Sequence, residues 1–260
     1  MKIGVNINCY KPLSVERQIE LMKQNGFTAT FVLADTPNLY QIIDACKNAG
    51  IFVESLHAPF FGVNALWEDN EKGEAYFDTQ MRAVKDCANN GIHKLVVHLS
   101  TKFPPPLVTP IGMQRIGKLC DYAKQHGVTL AFENQRSLGN LASVLERFPD
   151  AGFCWDVGHE YCFTDSAIDF MATFGRRIAA IHTHDNHAKH DGDEHLIPFD
   201  GVIDYERVAQ KLAKANYQGA LMLELATSES NAYINTPPEE YYARAGIAAK
   251  KIAELVEQYR

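Results

Sequence analysis

Short apolar runs rich in β-branched residues recur along the chain, and each is followed by a longer stretch whose apolar positions return every three or four residues. Runs with strand character are Ile3–Asn8, Ala29–Ala34, Phe52–His57, Lys94–Leu99, Thr129–Glu133, Phe153–Asp156, Ala179–Thr183 and Leu221–Leu225. Helical periodicity covers Val15–Gln24, Tyr40–Ala49, Tyr76–Asn89, Ile111–Gln125, Leu141–Phe148, Tyr205–Ala215 and Glu239–Gln258. Four of these helices stop at a turn signal: Asn25-Gly26, Ala49-Gly50, Asn90-Gly91 and His126-Gly127. Glycine is expected just past a helix end because it enters the left-handed conformation without a Cβ clash.

Strand–helix alternation predicts a parallel sheet covered by helices. Eight such units in 260 residues fit a closed (β/α)8 TIM barrel, typically about 250 residues long, formed by a single domain over 1–260. An open doubly wound sheet is the weaker alternative. It marks its ligand site with a glycine-rich first turn, and neither GxGxxG nor GxxxxGK[ST] occurs here. The irregular stretches Pro59–Lys72, Pro104-Pro105-Pro106 and Asn186–Asp204 each follow a strand. They therefore belong over the C-terminal mouth of the barrel, where active sites of this fold lie.

Hydrophobic residues make up 46% and charged residues 22% of the chain, an ordinary globular balance. The formal charge of −7 offers no broad attraction to nucleic acid or to an anionic membrane. Cys9, Cys46, Cys87, Cys120, Cys154 and Cys162 contain no CxxC pair and read as reduced thiols. The opening MKIGVNINCY lacks a signal-peptide layout, and no apolar run approaches the ~18 residues of a membrane span. The expectation is a cytoplasmic protein.

Potential metal ligands fall at strand ends. His57, His98, Glu133, Asp156, His182 and Glu224 close the third to the eighth apolar runs. Taken alone, such a residue is usually a satisfied polar group or a cap for the next helix; six in register are not explained that way. In a barrel they would converge across the mouth, where several carboxylates repel one another unless a proton or cation neutralises them. A mixed Glu/Asp/His set suits Mn²⁺, Zn²⁺, Co²⁺ or Mg²⁺, so a metal site is expected at the mouth.

Five motifs occur in order: Ala131-Phe-Glu-Asn134, Trp155-Asp-Val-Gly-His159, Ile181-His-Thr-His-Asp-Asn186, Asp193-Glu-His195 followed by Gly201-Val-Ile-Asp204, and Leu221-Met-Leu-Glu224. In these the chain resembles, from about residue 1 to 258, the xylose-isomerase-like barrel superfamily of sugar and sugar-phosphate isomerases and epimerases, with endonuclease IV as a DNA-repair relative. The resemblance implies that Glu133, Asp156, His182 and Glu224 ligate the principal metal. It also implies that Glu133 and Glu224 move a proton beside a carbonyl of a small sugar or sugar phosphate through a metal-stabilised enediolate. His57, His98, His159 and His195 would bind substrate oxygens. Asp185 would orient a ligand histidine, and Asp193 would act there or at a second metal. Trp67, Phe60 and Phe61, in a mouth loop, could stack on a sugar ring. His184, His187 and His190 read as an exposed polar loop.

Endonuclease IV relatives use three zinc ions, and His57, His98, Glu133, Asp156, His159, His182, Asp193, His195 and Glu224 could fill that set, which keeps hydrolysis of abasic DNA as an alternative. The acidic chain and the few mouth cations, chiefly Lys72, Lys102, Arg136 and Lys189, argue against a nucleic-acid partner. An inosose-dehydratase-like lyase, or a binder without turnover, are further alternatives. The segment Leu196-Ile-Pro-Phe-Asp-Gly201 departs from the pattern by lacking a glycine before its acidic residue, which leaves the placement of Asp193 and His195 open. Homo-oligomers are common in the superfamily, so a homo-oligomer is a further expectation.

Overall fold

The computed structural model describes residues 1–164, 168–228 and 231–260. Its strands are β1 (Ile3–Val5), β2 (Ala29–Leu33), β3 (Phe52–His57), β4 (Lys94–Val97), β5 (Thr129–Glu133), β6 (Gly152–Asp156), β7 (Ile178–His182) and β8 (Leu221–Leu223). The helices are α1 (Val15–Gln24), α2 (Leu39–Asn48), α3 (Glu71–Asn89), α4 (Pro110–Gln125), α5 (Leu138–Arg147), α6 (Val157–Cys162), α7 (Phe170–Phe174), α8 (Tyr205–Lys214) and α9 (Pro238–Gln258). All ladders are parallel, in the order β7-β6-β5-β4-β3-β2-β1-β8. The ring closes at a bridge between Thr183 and Leu223 and at the Glu224 N–H donating to Thr183 O at 3.1 Å. The protein is a (β/α)8 barrel. Among the described residues no helix is long and apolar enough to cross a membrane.

Two faces of each strand find two cores. Outward positions pack under the helices in one large apolar shell. Inward positions fill the barrel with small layers: Ala29, Phe31, Ala220 and Met222 form one, and Val96, Ala131, Cys154 and Ala180 another. Small side chains dominate because little room remains at the axis of eight tilted strands. Gly4 shows how little: a Cβ there would stand 2.7 Å from Met222 Sδ and 2.8 Å from Ala29 O.

The helices begin where local chemistry dictates. Ser14, Asn70, Thr109, Ser137 and Asp204 cap α1, α3, α4, α5 and α8 through their side-chain oxygens. The Asn70 cap starts α3 five residues before the Tyr76 expected from periodicity. Asp156 is both the last residue of β6 and the N-cap of α6, its Oδ1 accepting the His159 N–H at 2.7 Å. That bond turns His159 back over the mouth. The short α6 and α7, and a 3₁₀ turn over Val63–Trp67, were not apparent from periodicity.

Candidate metal centre

Strand alternation sets the site. Two residues beyond the inward-facing Val96, Ala131, Cys154, Ala180 and Met222 come His98, Glu133, Asp156, His182 and Glu224. A period of two keeps them pointing inward. The ring of small core residues is therefore topped by a ring of ligand-type side chains.

Glu133, Asp156, His182 and Glu224 each offer one ligand atom, all within 4.8 Å of one another. His182 Nδ1 lies 3.0 Å from Glu224 Oε2 and 3.6 Å from Glu133 Oε2, and its ring stacks on Phe31 with centroids 4.6 Å apart. Asn134 clamps the strand end from the side: its Oδ1 accepts the Asp156 N–H, and its Nδ2 donates to Asp156 O, both at 2.8 Å. Asp156 Oδ2, Glu224 Oε2 and both ring nitrogens of His182 are buried and complete no hydrogen bond among the described residues. Buried polar atoms left this way normally cost free energy, so the donor set fits a divalent cation that would satisfy them together.

The electrostatics agree. Burial raises the Glu133 carboxyl, but His98, His182 and His159 outweigh it and hold it well below the ordinary range. Burial also acts against ionising Glu224, yet His182 holds it low. Burial lowers the His182 imidazole, and Glu224 with Glu133 overcomes this to raise it well above its usual value. Without a cation, protons on imidazoles balance the carboxylates; a metal would displace them.

Two further groups adjoin this one. His57 Nε2 and His98 Nε2 face each other at 3.1 Å, and both face Glu133 Oε2, at 3.4 and 3.0 Å. On the other side, Asp193 sits among His159, His184 and His195. Gln135, which sequence reading passed over, lies between the groups, its Nε2 3.1 Å from His98 Nε2 and 3.0 Å from His159 Nδ1.

The model of a family described as "Xylose isomerase-like TIM barrel" matches residues 16–252. The chain belongs to this family. Another protein similar in sequence is "Uncharacterized protein y4fM" of Sinorhizobium fredii, 31% identical over 95% of this chain and 91% of that protein. Solved structures of xylose isomerase-like shape resemble it over nearly their whole length. D-psicose 3-epimerase from Clostridium cellulolyticum H10, solved with D-tagatose, aligns with a TM-score of 0.80 at 12% identity, covering 98% of this chain and 99% of that one. A D-tagatose 3-epimerase-like protein gives 0.76 at 17% identity over 99% of both chains. At these identities the likeness is one of fold.

Within this xylose isomerase-like barrel several expected roles change. Trp67 does not present its ring to the mouth: it is buried, packs on Gly112, and donates its indole N–H to Leu99 O at 2.7 Å. Phe61 is exposed, and of these three aromatics Phe60 is the one beside the site, 5.5 Å from His57 and 5.1 Å from His98 between ring centroids. Asp185 does not orient a ligand histidine. Its carboxylate accepts the backbone N–H groups of Asn186, Phe199 and Ile203, and so shapes the segment that carries Asp193 and His195. Phe199 adopts φ 77° where a glycine was missed, so the backbone keeps the left-handed turn at a cost of about 1–2 kcal/mol. Its ring meets Tyr205 and the Lys251 ammonium.

His187 and His190 are exposed as expected, whereas His184 is fully buried beside Asp156 and Asp193. The signal was available: His182 and His184 are two apart, and the chain stays extended past β7 through the Thr183 bridge. Arg136 is committed to Asp191, with its guanidinium 3.7 Å above the Phe163 ring.

Proposed function

We propose that the protein is a divalent-metal-dependent isomerase or epimerase of a small sugar, with Glu133 and Glu224 as its proton-transferring pair. The observation carrying this reading is the placement of two carboxylates three strands apart around the mouth, both flanking the His182 imidazole. A carboxylate that must take a proton from carbon has to be ionised and fixed before substrate arrives. Held by Glu133, Asp156, His182 and Glu224, a cation such as Mn²⁺, Zn²⁺, Co²⁺ or Mg²⁺ supplies Lewis-acid polarisation of a substrate carbonyl. Glu224 is the more open of the pair and would remove the proton from the carbon beside that carbonyl. Glu133, fixed beneath by its histidine neighbours, would return a proton from a second direction. His57 and His98 would meet substrate hydroxyls, with burial pushing His98 toward the neutral form that both donates and accepts. The engagement of Arg136 supports an uncharged sugar over a sugar phosphate, and the epimerases among the structural neighbours support the reaction class.

Metal-assisted phosphodiester hydrolysis is the second reading. It is favoured by the facing Nε2 atoms of His57 and His98 beside Glu133, a trio that could seat a further cation. The acidic chain opposes it. The test is incubation of metal-loaded protein with ketoses in D₂O. Deuterium beside the carbonyl in products isomeric with the substrate, without loss of water, is expected, and Glu224→Gln should lower kcat by roughly 10²–10⁴-fold. Absence of exchange with every ketose, together with cleavage of abasic DNA, would transfer the assignment to hydrolysis.

A further inference from the structure

The ring of ligand-type side chains at the mouth has a gap. It is built from the ends of β3 to β8, whereas at the end of β2 the register partner of His57 is Leu33. Leu33 faces inward, packed on the layer that holds Phe31 and Met222. In the closed ring of strands β1 and β2 stand opposite β5 and β6, so the gap lies across the mouth from Glu133 and Asp156. Both flanks are walled. Phe60 packs beside His57 and His98 on one, and on the other Asp193 and His195 reach His159 and His184 beyond β6 and β7. A substrate held at the ligands has its free end directed at β1 and β2.

A cleft of about 660 Å³ lies there, between the loops that follow β1 and β2. Leu33 lines both this cleft and the mouth, and the cleft runs outward between the starts of α1 and α2. Backbone geometry holds it open. At Asn8 the chain turns away from the barrel with φ 67°, a left-handed conformation that asparagine tolerates better than most residues. The fully buried Gln18 fixes that turn: its Oε1 accepts the Asn8 N–H at 2.8 Å, and its Nε2 donates to Leu13 O at 3.1 Å. From α9, the Tyr242 hydroxyl donates to the same Oε1 at 3.2 Å. On the facing loop Asn38 opens α2 with φ 59° and no side-chain cap. The lining suits a neutral polyol. Leu13, Leu33 and Ile42 supply buried or half-buried apolar surface, and Asn38 and Gln41 present exposed amides; the carbon face of a sugar ring needs the first and its hydroxyls the second. Lys11 is outnumbered by Glu16 and Asp35, a balance that disfavours a phosphate or carboxylate.

We propose that this cleft is a second sugar subsite, so that the substrate class is a glycosylated ketose: the reacting sugar sits at the ligands and a neutral second ring lies between the β1 and β2 loops. The cleft falls within the roughly 300–1,000 Å³ of pockets that enclose a drug-sized ligand. It extends beyond the mouth, and a monosaccharide at the ligands would leave it empty. The inference rests on the sugar-directed reading for the first ring, and its test separates the two.

The experiment is calorimetric binding of D-fructose and of its α-glucosyl derivatives, linked at O3, O4, O5 and O6, to the metal-loaded full chain. Deuterium exchange from D₂O into the same sugars is followed alongside. At least one disaccharide should bind roughly tenfold or more tightly than fructose, and Gln41→Trp, which fills the cleft from an exposed position, should cut that advantage to about twofold or less. Circular dichroism establishes that the variant is folded, and Glu16→Trp, on the opposite wall, gives a second route if it is not. Disaccharides that bind no tighter than fructose overturn the subsite, as does an advantage that survives in the folded variants. Exchange into fructose without the advantage removes the subsite and leaves the isomerase reading standing. The advantage without exchange into any of these sugars does the reverse.

Discussion

Asp185→Asn is a sharp test of how the mouth is built, because it changes the fewest atoms. Asp185 Oδ1 accepts the N–H groups of Asn186 at 2.9 Å and Ile203 at 3.1 Å, and Oδ2 accepts that of Phe199 at 2.9 Å. Burial raises this carboxyl, with the four N–H groups of Ile203, Gly201, Asn186 and Phe199 acting in the opposite sense. An asparagine keeps the shape but turns one acceptor into a donor. In its better orientation the amide faces Phe199 N–H donor to donor, leaving that part-buried N–H unpaired at about 1–3 kcal/mol. The two surviving bonds lose charge assistance, which adds roughly 1 kcal/mol. The sum is about 2–4 kcal/mol, or a fall in Tm of about 4–16 °C for a chain of this size. Thermal melts followed by circular dichroism give the total, and amide exchange at Phe199 and Ile203 should accelerate selectively. A melt unchanged within 1–2 °C, with both amides still protected, would refute the assignment of Asp185 as an ionised anchor of this segment.

Trp67→Phe should cost about 1–3 kcal/mol by orphaning Leu99 O, while KM for any accepted sugar stays within about twofold of the parent; a large rise in KM would return the indole to the substrate. The metal-free protein should be most stable between roughly pH 4.3 and 6.5. Below that window the depressed carboxyls of Glu133, Glu224 and Asp193 protonate and their stabilisation is lost. Above it the raised imidazoles shed protons: burial opposes the charge on His195, but Asp193 lifts it to about 10, so stabilisation fades between about 6.5 and 10. Chelated protein melted across this range checks the sign, and a plateau from pH 5 to 9 would contradict it.

The periodic signals carried most of the fold. All eight strand expectations fall on observed strands, and β3 and β5 match end to end. Ends were overextended where apolar residues continue past the ladder, as at Leu99 and Leu225, because hydropathy records burial and not pairing. The ligand ring was legible for the same reason as the strands: it continues an alternation whose lower members are core. Context supplied what remained. Trp67 looked available because loops usually are, yet its indole found a carbonyl under the mouth. His184 looked exposed because Thr, Asp and Asn surround it, and only the two bridges at Thr183 and Asp185 draw that polar run inside. Asp185 is buried by partners up to eighteen residues away, a separation that local pattern does not report.

The seam of the barrel has a mechanical consequence. β7 and β8 meet at one bridge, and the residues flanking that joint are His182, just before Thr183, and Glu224, just after Leu223. The hoop of strands is thus fastened at its upper lip, at the level of the ligands, and a cation held there would act as a rivet. Chelation should let this lip breathe while the lower layers, packed around Phe31 and Met222, stay shut. Strength of the whole cylinder and occupancy of its mouth would then rise and fall together.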